Sequence, residues 1–408
     1  MFYMEIKHSA LNIETLGHID HGKTTLTSVI THTWTDRHSE SIKRNMTIKL
    51  GYADAVIYKC AACDGAAAYS TQERCHNCGA TAEPLMRISI LDSPGHETLM
   101  ATAIAGSAVI DAILFVISAD EPCPMQQTRE HLMIINVLGI KKVIIAQNKI
   151  DIVGKEAALE HYQQIKQFIK GSIIEDAPII PIMANHSINV DVLLEKIAGM
   201  ERPVRNTEAD PLMYIVRSFD VNKPGIDASS LTGGVIGGAV IRGRLRQGDT
   251  VEIRPGIKIG EGERRADAYE PITTTILGIS NGSEALDEAL PGGLMGIATD
   301  LDPAFTKTDG LVGNVVGKPG KLPPVVTSLS MKYHDLNRQD MQKRAVANNE
   351  PLLLGIGTAT AIGYVKKARK NTIQVELKRP ACVEKKTKIA VMRNMAQRWR
   401  LAGYGIVE

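Results

Sequence analysis

The stretch Gly17-His18-Ile19-Asp20-His21-Gly22-Lys23-Thr24 decides the fold. It matches the phosphate loop Gly-x-x-x-x-Gly-Lys-Ser/Thr at every fixed position. The glycines let backbone N–H groups curl around a nucleotide's phosphates, Lys23 can reach the β- and γ-phosphates, and the Thr24 hydroxyl can ligate Mg²⁺. Upstream, Leu11–Leu16 reads as a short strand. Downstream, the run from Thr25 to Thr33 reads as a helix whose positive N-terminal end faces the same phosphates.

Working outward, the first two hundred residues alternate apolar runs with helical patterns. Arg87–Leu91, Ala112–Ile117, Val143–Ala146 and Ala177–Ile182 read as buried strands. Glu97–Ile110, Gln126–Leu138, Lys155–Lys170 and Val190–Gly199 read as helices. Such alternation predicts a mostly parallel sheet covered on both faces, with ligands at the carboxyl ends of its strands. Beyond Asp210 the helical period gives way to short β-rich runs separated by Gly and Pro, which suits a β-barrel. Val316–Pro324 reads as a linker, and the residues after it again read as strands. The predicted division is a nucleotide-binding domain at 1–206, a first barrel at 207–324 and a second barrel at 325–408.

Three further strings supply nucleotide chemistry. In Asp92-Ser93-Pro94-Gly95-His96, Asp92 at a strand end can hold Mg²⁺ through water, Gly95 can offer its N–H to a γ-phosphate, and His96 can orient an attacking water. Taken alone, this string better suits a Pro-Gly turn with a surface histidine; the phosphate loop upstream reverses that in favour of the chemical reading. In Asn148-Lys149-Ile150-Asp151, the Asp151 carboxylate can accept from N1–H and the exocyclic amine of guanine, donors that adenine lacks there. Lys149 can pack its stem along the base and Asn148 can brace the loop. In Lys43–Ile48, Thr47 is the candidate second hydroxyl on Mg²⁺, engaged only when a γ-phosphate is present, which is the logic of a GTPase switch. The fold class is therefore an α/β P-loop GTPase domain followed by two β-barrels.

Cys60-x₂-Cys63 and Cys75-x₂-Cys78, eleven residues apart, suit a four-thiolate Zn²⁺ site of structural type. Two disulfides or four free thiols are the alternatives, and a cytosolic setting argues against disulfides. Cys123 and Cys382 read as plain buried residues.

The chain has 408 residues, 44% of them hydrophobic and 23% charged, with ample core-forming material for two to four domains. No apolar run approaches transmembrane length, and Met1–Ser9, with Glu5, Lys7 and His8, has no secretory core; the cytoplasm is the expected location, with no membrane partner. The net charge of +2 hides an asymmetry: Val325–Glu408 holds 16 Lys and Arg against 6 Asp and Glu. A basic domain on an otherwise acidic chain suits a polyanionic partner and, from charge alone, equally a solvated basic surface with no partner.

Taken together, Gly17–Thr25, Arg44–Ile48, Asp92–His96 and Asn148–Asp151 resemble the translational GTPases related to elongation factor Tu. The cysteine pairs, Ile48–Asp54, Glu121–Pro124, Arg217–Gly225 and Gly313–Leu322 narrow the resemblance to the gamma subunits of archaeal and eukaryotic translation initiation factor two, over essentially the whole chain. The resemblance implies a GTP/GDP site formed by Asp20, His21, Gly22, Lys23, Thr24, Thr25, Gly95, Asn148, Lys149, Asp151 and the loop Met183-Ala184-Asn185. It implies Mg²⁺ at Asp20, Thr24, Thr47 and Asp92, and an apolar gate of Ile19 and Met46 around His96. Its implied partners are initiator methionyl-tRNA, the alpha and beta subunits of the same factor and the small ribosomal subunit, with Arg217, Phe219 and Lys223 near the tRNA acceptor end. Asn45 and Met183 depart from the family, which commonly has glycine and serine there. A selenocysteine-type elongation factor, in which the cysteine pairs are not expected, and a GTPase subunit of a metabolic enzyme, which predicts a small-molecule partner and no tRNA, are the alternatives.

Overall fold

The computed structural model describes residues 6–35, 51–93, 109–223, 225, 227, 231–259, 269–282, 284–336, 338, 344–395 and 398–408. The chain divides into two compact units, Met1–Val204 and Arg205–Glu408.

The first unit is built on a seven-stranded sheet of β1 (Ser9–Leu16), β2 (Gly51–Lys59), β3 (Tyr69–Ser70), β4 (Glu83–Asp92), β5 (Ala112–Ser118), β6 (Val143–Asn148) and β7 (Ile179–Pro181), in the order β3-β2-β4-β1-β5-β6-β7. The five strands from β4 to β7 run parallel, and β5 and β6 are buried at every position. Strands covered on both faces need apolar residues throughout, which is why these runs do not alternate. Helices α1 (Lys23–Thr31) and α4 (Val190–Ala198) place Leu26, Ile30, Leu193 and Ile197 against Leu11, Ile13, Ile88 and Leu114. Helices α2 (Gln126–Leu138) and α3 (Lys155–Ile169) place Leu132, Ile135, Ile165 and Ile169 on the other core, with Leu16, Ile113 and Phe115.

Strand β2, which pairs antiparallel with β4, was not foreseen as a strand. Its small inward residues Ala53 and Ala55 alternate with half-buried Asp54 and Val56, so the apolar signal is weak although the period is two. Helix α1 begins two residues earlier than expected, because the left-handed Gly22 supplies its N-cap, and it ends at the left-handed His32. The expected helix at Glu97–Ile110 lies almost wholly outside the described residues.

The second unit holds two six-stranded rings. The first comprises β8 (Leu212–Phe219), β9 (Val235–Arg242), β11 (Thr250–Lys258), β12 (Tyr269–Ser280), β15 (Met295–Thr299) and β16 (Val315–Gly317). Its order is β11-β16-β8-β9-β15-β12, closed by pairing of β12 with β11. The two-residue strands β10 (Leu245–Arg246) and β14 (Glu288–Ala289) pair with each other, and β13 (Ala285–Leu286) extends β12. The second ring, in the order β17-β20-β19-β18-β21-β22, comprises β17 (Val325–Asp335), β18 (Pro351–Ile356), β19 (Ala359–Arg369), β20 (Thr372–Cys382), β21 (Lys388–Met395) and β22 (Arg398–Val407). In β20 buried Ile373, Val375 and Leu377 alternate with exposed Gln374, Glu376 and Lys378, the period expected of a barrel wall.

The stretch expected as a linker is partly structured. Val316 lies in β16, and Leu322 packs with Leu212, Val315 and Cys382 in an apolar seam between the rings. Beside this seam, the Thr358 hydroxyl donates to the Ile215 carbonyl at 2.7 Å, and Arg242 pairs with Glu384 at 2.6 Å. Just before β18, Glu350 accepts from Arg393 of β21 at 2.7 and 2.9 Å and from Arg344 at 3.0 Å.

Candidate functional site

The ends of four parallel strands converge on one edge of the first unit. β1 runs out into Gly17, β4 ends at Asp92, β6 ends at Asn148, and β7 leads to Met183. At Gly17, φ is +152° and an added Cβ would lie 2.2 Å from the Val116 carbonyl. Asp20 and Gly22 adopt left-handed conformations, with φ of 58° and 88°, the kind of backbone turn that aims N–H groups into a concave anion site. A Cβ on Gly22 would fall 2.3 Å from Asn148 Nδ2, so the loop closes onto Asn148 only because glycine stands there.

Lys23 is buried, and its ammonium donates to the His18 carbonyl at 2.7 Å, spanning the loop. Burial pushes it down to about 8, with Asp92 and Asp20 acting in the opposite direction, so it remains a cation at neutral pH. Asp92 is fully buried. It accepts from Thr24 at 2.7 Å, Thr35 at 2.8 Å and Thr15 at 3.0 Å. Burial raises its carboxyl, and the Thr24 and Thr35 hydroxyls partly offset this. His21 lies beneath the loop, with Nδ1 3.1 Å from the Val116 carbonyl and Nε2 3.1 Å from Glu121. Its burial lowers it to about 4, against the Glu121 hydrogen bond.

On the base side, Asn148 joins three loops. Its Nδ2 donates to the His21 carbonyl at 2.9 Å, and its Oδ1 accepts from the Ala184 N–H at 3.1 Å. The N–H of Ala184, in the loop expected to form part of the GTP/GDP site, is thus engaged by Asn148. Lys149, left-handed at φ 59°, pairs with Asp120 at 3.2 Å, and the Ser118 hydroxyl holds the other Asp120 oxygen. Asp151 and Asn185 are exposed, with Met183 half-buried beside them. Thr25 follows Thr24 in the first turn of α1. Asn45, Met46, Thr47, Gly95 and His96 lie outside the described residues.

The sequence does not mark Thr15, Thr35 or Asp120 as site residues, and it marks Glu121 only as part of the Glu121–Pro124 stretch that carries the resemblance. Their partners are between 29 and 100 residues away, except for Ser118 beside Asp120, and a lone threonine carries no spacing signal.

The four cysteines lie between β2 and β4. Their sulfurs all fall within 4.8 Å of one another, with Cys60–Cys78 at 3.5 Å and Cys63–Cys75 at 3.7 Å. A tetrahedral Zn²⁺ with bonds of 2.3 Å requires sulfur separations of about 3.8 Å, so this donor set fits the ion. The Gly79 N–H donates to the Cys75 carbonyl at 2.9 Å and the Cys75 N–H to the Ala80 carbonyl at 2.9 Å, closing the knuckle turn. Backbone N–H groups of Cys78 and Asn77, aimed at the Cys75 sulfur, hold its thiol down at about 7. Cys382 is buried as expected; Cys123 is half-buried against α3, its N–H donating to Gln164.

In the second unit, Arg217 lies over the Phe219 ring, 5.1 Å from its centroid, and its Nε donates to Asp309 at 2.9 Å. Phe219 is 38% exposed and Lys223 faces solvent.

The loops at the sheet edge and the two rings define a P-loop GTPase of the elongation factor Tu type. Residues 8–203 match the elongation factor Tu GTP binding domain, and residues 327–407 match the C-terminal domain of initiation factor eIF2 gamma. The chain is 48% identical over 412 residues to translation initiation factor 2 subunit gamma of Archaeoglobus fulgidus, covering 100% of this chain and 96% of that protein. It is 49% identical over 408 residues to the Pyrococcus furiosus protein of the same name, covering 98% of each. The chain belongs to the gamma-subunit family of translation initiation factor 2, and is a translational GTPase. Its fold also resembles a bacterial selenocysteine-specific elongation factor (TM-score 0.73, 22% identity, 98% of this chain and 58% of that one) and the factor SelB from Methanococcus maripaludis with a GTP analogue (TM-score 0.73, 20% identity, 99% and 80%). Among the described residues, no helix is long and apolar enough to cross a membrane.

Proposed function

We propose that the chain, in its GTP form, carries initiator methionyl-tRNA to the small ribosomal subunit in the cytoplasm, together with an alpha and a beta subunit, and hydrolyses GTP on release. The observation that carries this reading is the full-length identity with gamma subunits named for translation initiation. In this reading residues 1–206 form the GTP-binding domain with the zinc knuckle at 60–78. Residues 207–324 present Arg217, Phe219 and Lys223 to the acceptor end, and the basic barrel at 325–408 supplies phosphate contacts.

Asp151 selects guanine, Lys149 packs along the base on its Asp120 strut, and Asn148 holds the surrounding loops. The loop Met183-Ala184-Asn185 closes the far side of the base. The backbone around Asp20–Thr25 surrounds the phosphates, and Lys23 turns from the His18 carbonyl to the phosphate charge. Mg²⁺, held by Thr24 and Thr47 with Asp92 and Asp20 behind them, supplies further charge neutralisation when bound. Gly95 senses the γ-phosphate through its N–H, and His96 orients the water for in-line attack. Zn²⁺ on the four thiolates is structural, because four protein ligands leave no open position.

The test is filter binding of charged initiator tRNA, with GTP or GDP, in the presence of the alpha subunit. Tight binding only with GTP supports the reading. Equal binding in both states, or preference for a selenocysteyl-tRNA, overturns it. In parallel, the His96→Ala variant should bind GTP normally and hydrolyse it more slowly.

A further inference from the structure

Glu14 is fully buried in β1, the middle strand of the sheet, where the register sets it beside Leu91 of β4 and Ile113 of β5. Its chain neighbours Ile13, Thr15 and Leu16 are equally buried. Among the described residues no basic side chain pairs with it. Oε1 accepts from the Ser93 hydroxyl at 2.5 Å, and Oε2 has no partner among the described residues. A carboxyl in such surroundings is costly, and an apolar side chain would fill the space without that cost. What the carboxyl adds is a hold on Ser93.

The next residue completes the pattern. Successive side chains of a strand point to opposite faces. Thr15, on the other face, holds Asp92 at 3.0 Å and reaches the Leu91 carbonyl at 3.4 Å. Adjacent residues of β1 therefore grip the adjacent pair Asp92-Ser93, one from each side of the sheet. The gripped pair directly precedes Pro94-Gly95-His96 in the sequence.

We propose that Glu14 is a positioning residue of the GTP site: by holding Ser93 it fixes the end of β4, from which Pro94-Gly95-His96 continue in sequence, and so sets the preference for GTP over GDP. This rests on the roles proposed for Gly95 and His96. Burial pushes the Glu14 carboxyl up to about 8, so near neutral pH it is the uncharged acid and needs no counter-ion.

The test uses the full chain and compares Glu14→Leu, Glu14→Gln and Ser93→Ala. The readouts are competition of a fluorescent nucleotide by GDP and by a non-hydrolysable GTP analogue, together with single-turnover hydrolysis. Glu14→Leu and Ser93→Ala should bind the GTP analogue roughly 5- to 10-fold more weakly relative to GDP, the worth of one buried hydrogen bond, with GDP affinity unchanged. Glu14→Gln keeps an acceptor for Ser93 and should restore the wild-type ratio. A merely structural Glu14 would weaken both nucleotides equally, and that result, or a wild-type ratio in Ser93→Ala, overturns the proposal. Ser93→Ala changes little volume and decides the matter if Glu14→Leu does not fold. Undiminished hydrolysis by His96→Ala would instead overturn the role of His96, and leaves the nucleotide ratio as an independent measure of Glu14.

Discussion

Replacing Asn148 with alanine should weaken GTP and GDP alike. The side chain is 3% exposed and satisfies two groups from other loops, the His21 carbonyl at 2.9 Å and the Ala184 N–H at 3.1 Å. Alanine removes both partners at once. Leaving a buried polar group unpaired costs about 1–3 kcal/mol, so the pair amounts to about 2–6 kcal/mol before water repairs part of the loss. A net effect of about 2–4 kcal/mol corresponds to roughly 30- to 1000-fold in affinity if it falls on nucleotide binding. Part of it will fall on the free protein, so the assay pairs nucleotide titration with urea unfolding of the same sample. Because the bracket lies on the base side, the GTP and GDP losses should agree within about threefold. Asn148→Asp sharpens the test: it keeps an acceptor for Ala184 but sets an oxygen against the His21 carbonyl, and should bind nucleotide no better than the alanine variant. Wild-type affinity and stability in Asn148→Ala, or a loss confined to GTP, would refute this account of the three-loop bracket.

Two further outcomes follow from the geometry. Elemental analysis of the purified chain should find one zinc, and chelation or Cys63→Ser should lower the melting temperature of the first unit; a zinc-free chain with an unchanged melt would refute the knuckle. In the second unit, Glu350→Gln leaves Arg393 buried without its counter-charge and should cost about 3–5 kcal/mol in urea unfolding at neutral pH. Burial alone would raise the Glu350 carboxyl, but Arg393, the Ala347 N–H and Arg344 hold it below its ordinary 4.5. A depressed folded value means that this stabilisation is complete above 4.5 and is lost as the pH falls below it, so the gap between wild type and variant should narrow in acid. A gap independent of pH would contradict the ion-pair origin.

The motifs that were legible in the sequence are those whose geometry is local. The phosphate loop, Asn148–Asp151 and the cysteine pairs each encode a turn within a few residues, and their spacing survives without knowledge of the fold. Strand β2 escaped because alanine fills its inward positions, leaving little contrast with its polar outer face. Glu14, Thr15 and Thr35 are illegible for a different reason: their partners at Asp92 and Ser93 lie 57 to 79 residues away, the parallel register of β1 on β4 brings Glu14 and Thr15 to them, and Thr35 reaches Asp92 from beyond the end of α1. The linker was misjudged at its edges because proline and glycine mark irregular backbone, and irregular backbone can still bury a side chain such as Leu322.

The seam between the two rings bears on how the chain is made. Synthesis proceeds from the N-terminus, so the first ring can close as soon as β16 has emerged. At that moment Leu212 and Val315 still face outward, and Arg242 lacks Glu384, with which it pairs in the finished chain. Their covers, Cys382 and Glu384, belong to a ring that has yet to be translated. A nascent chain halted before Thr358 therefore displays a half-apolar strip that the finished protein hides, the kind of surface by which chaperones and proteases sort incomplete chains from complete ones.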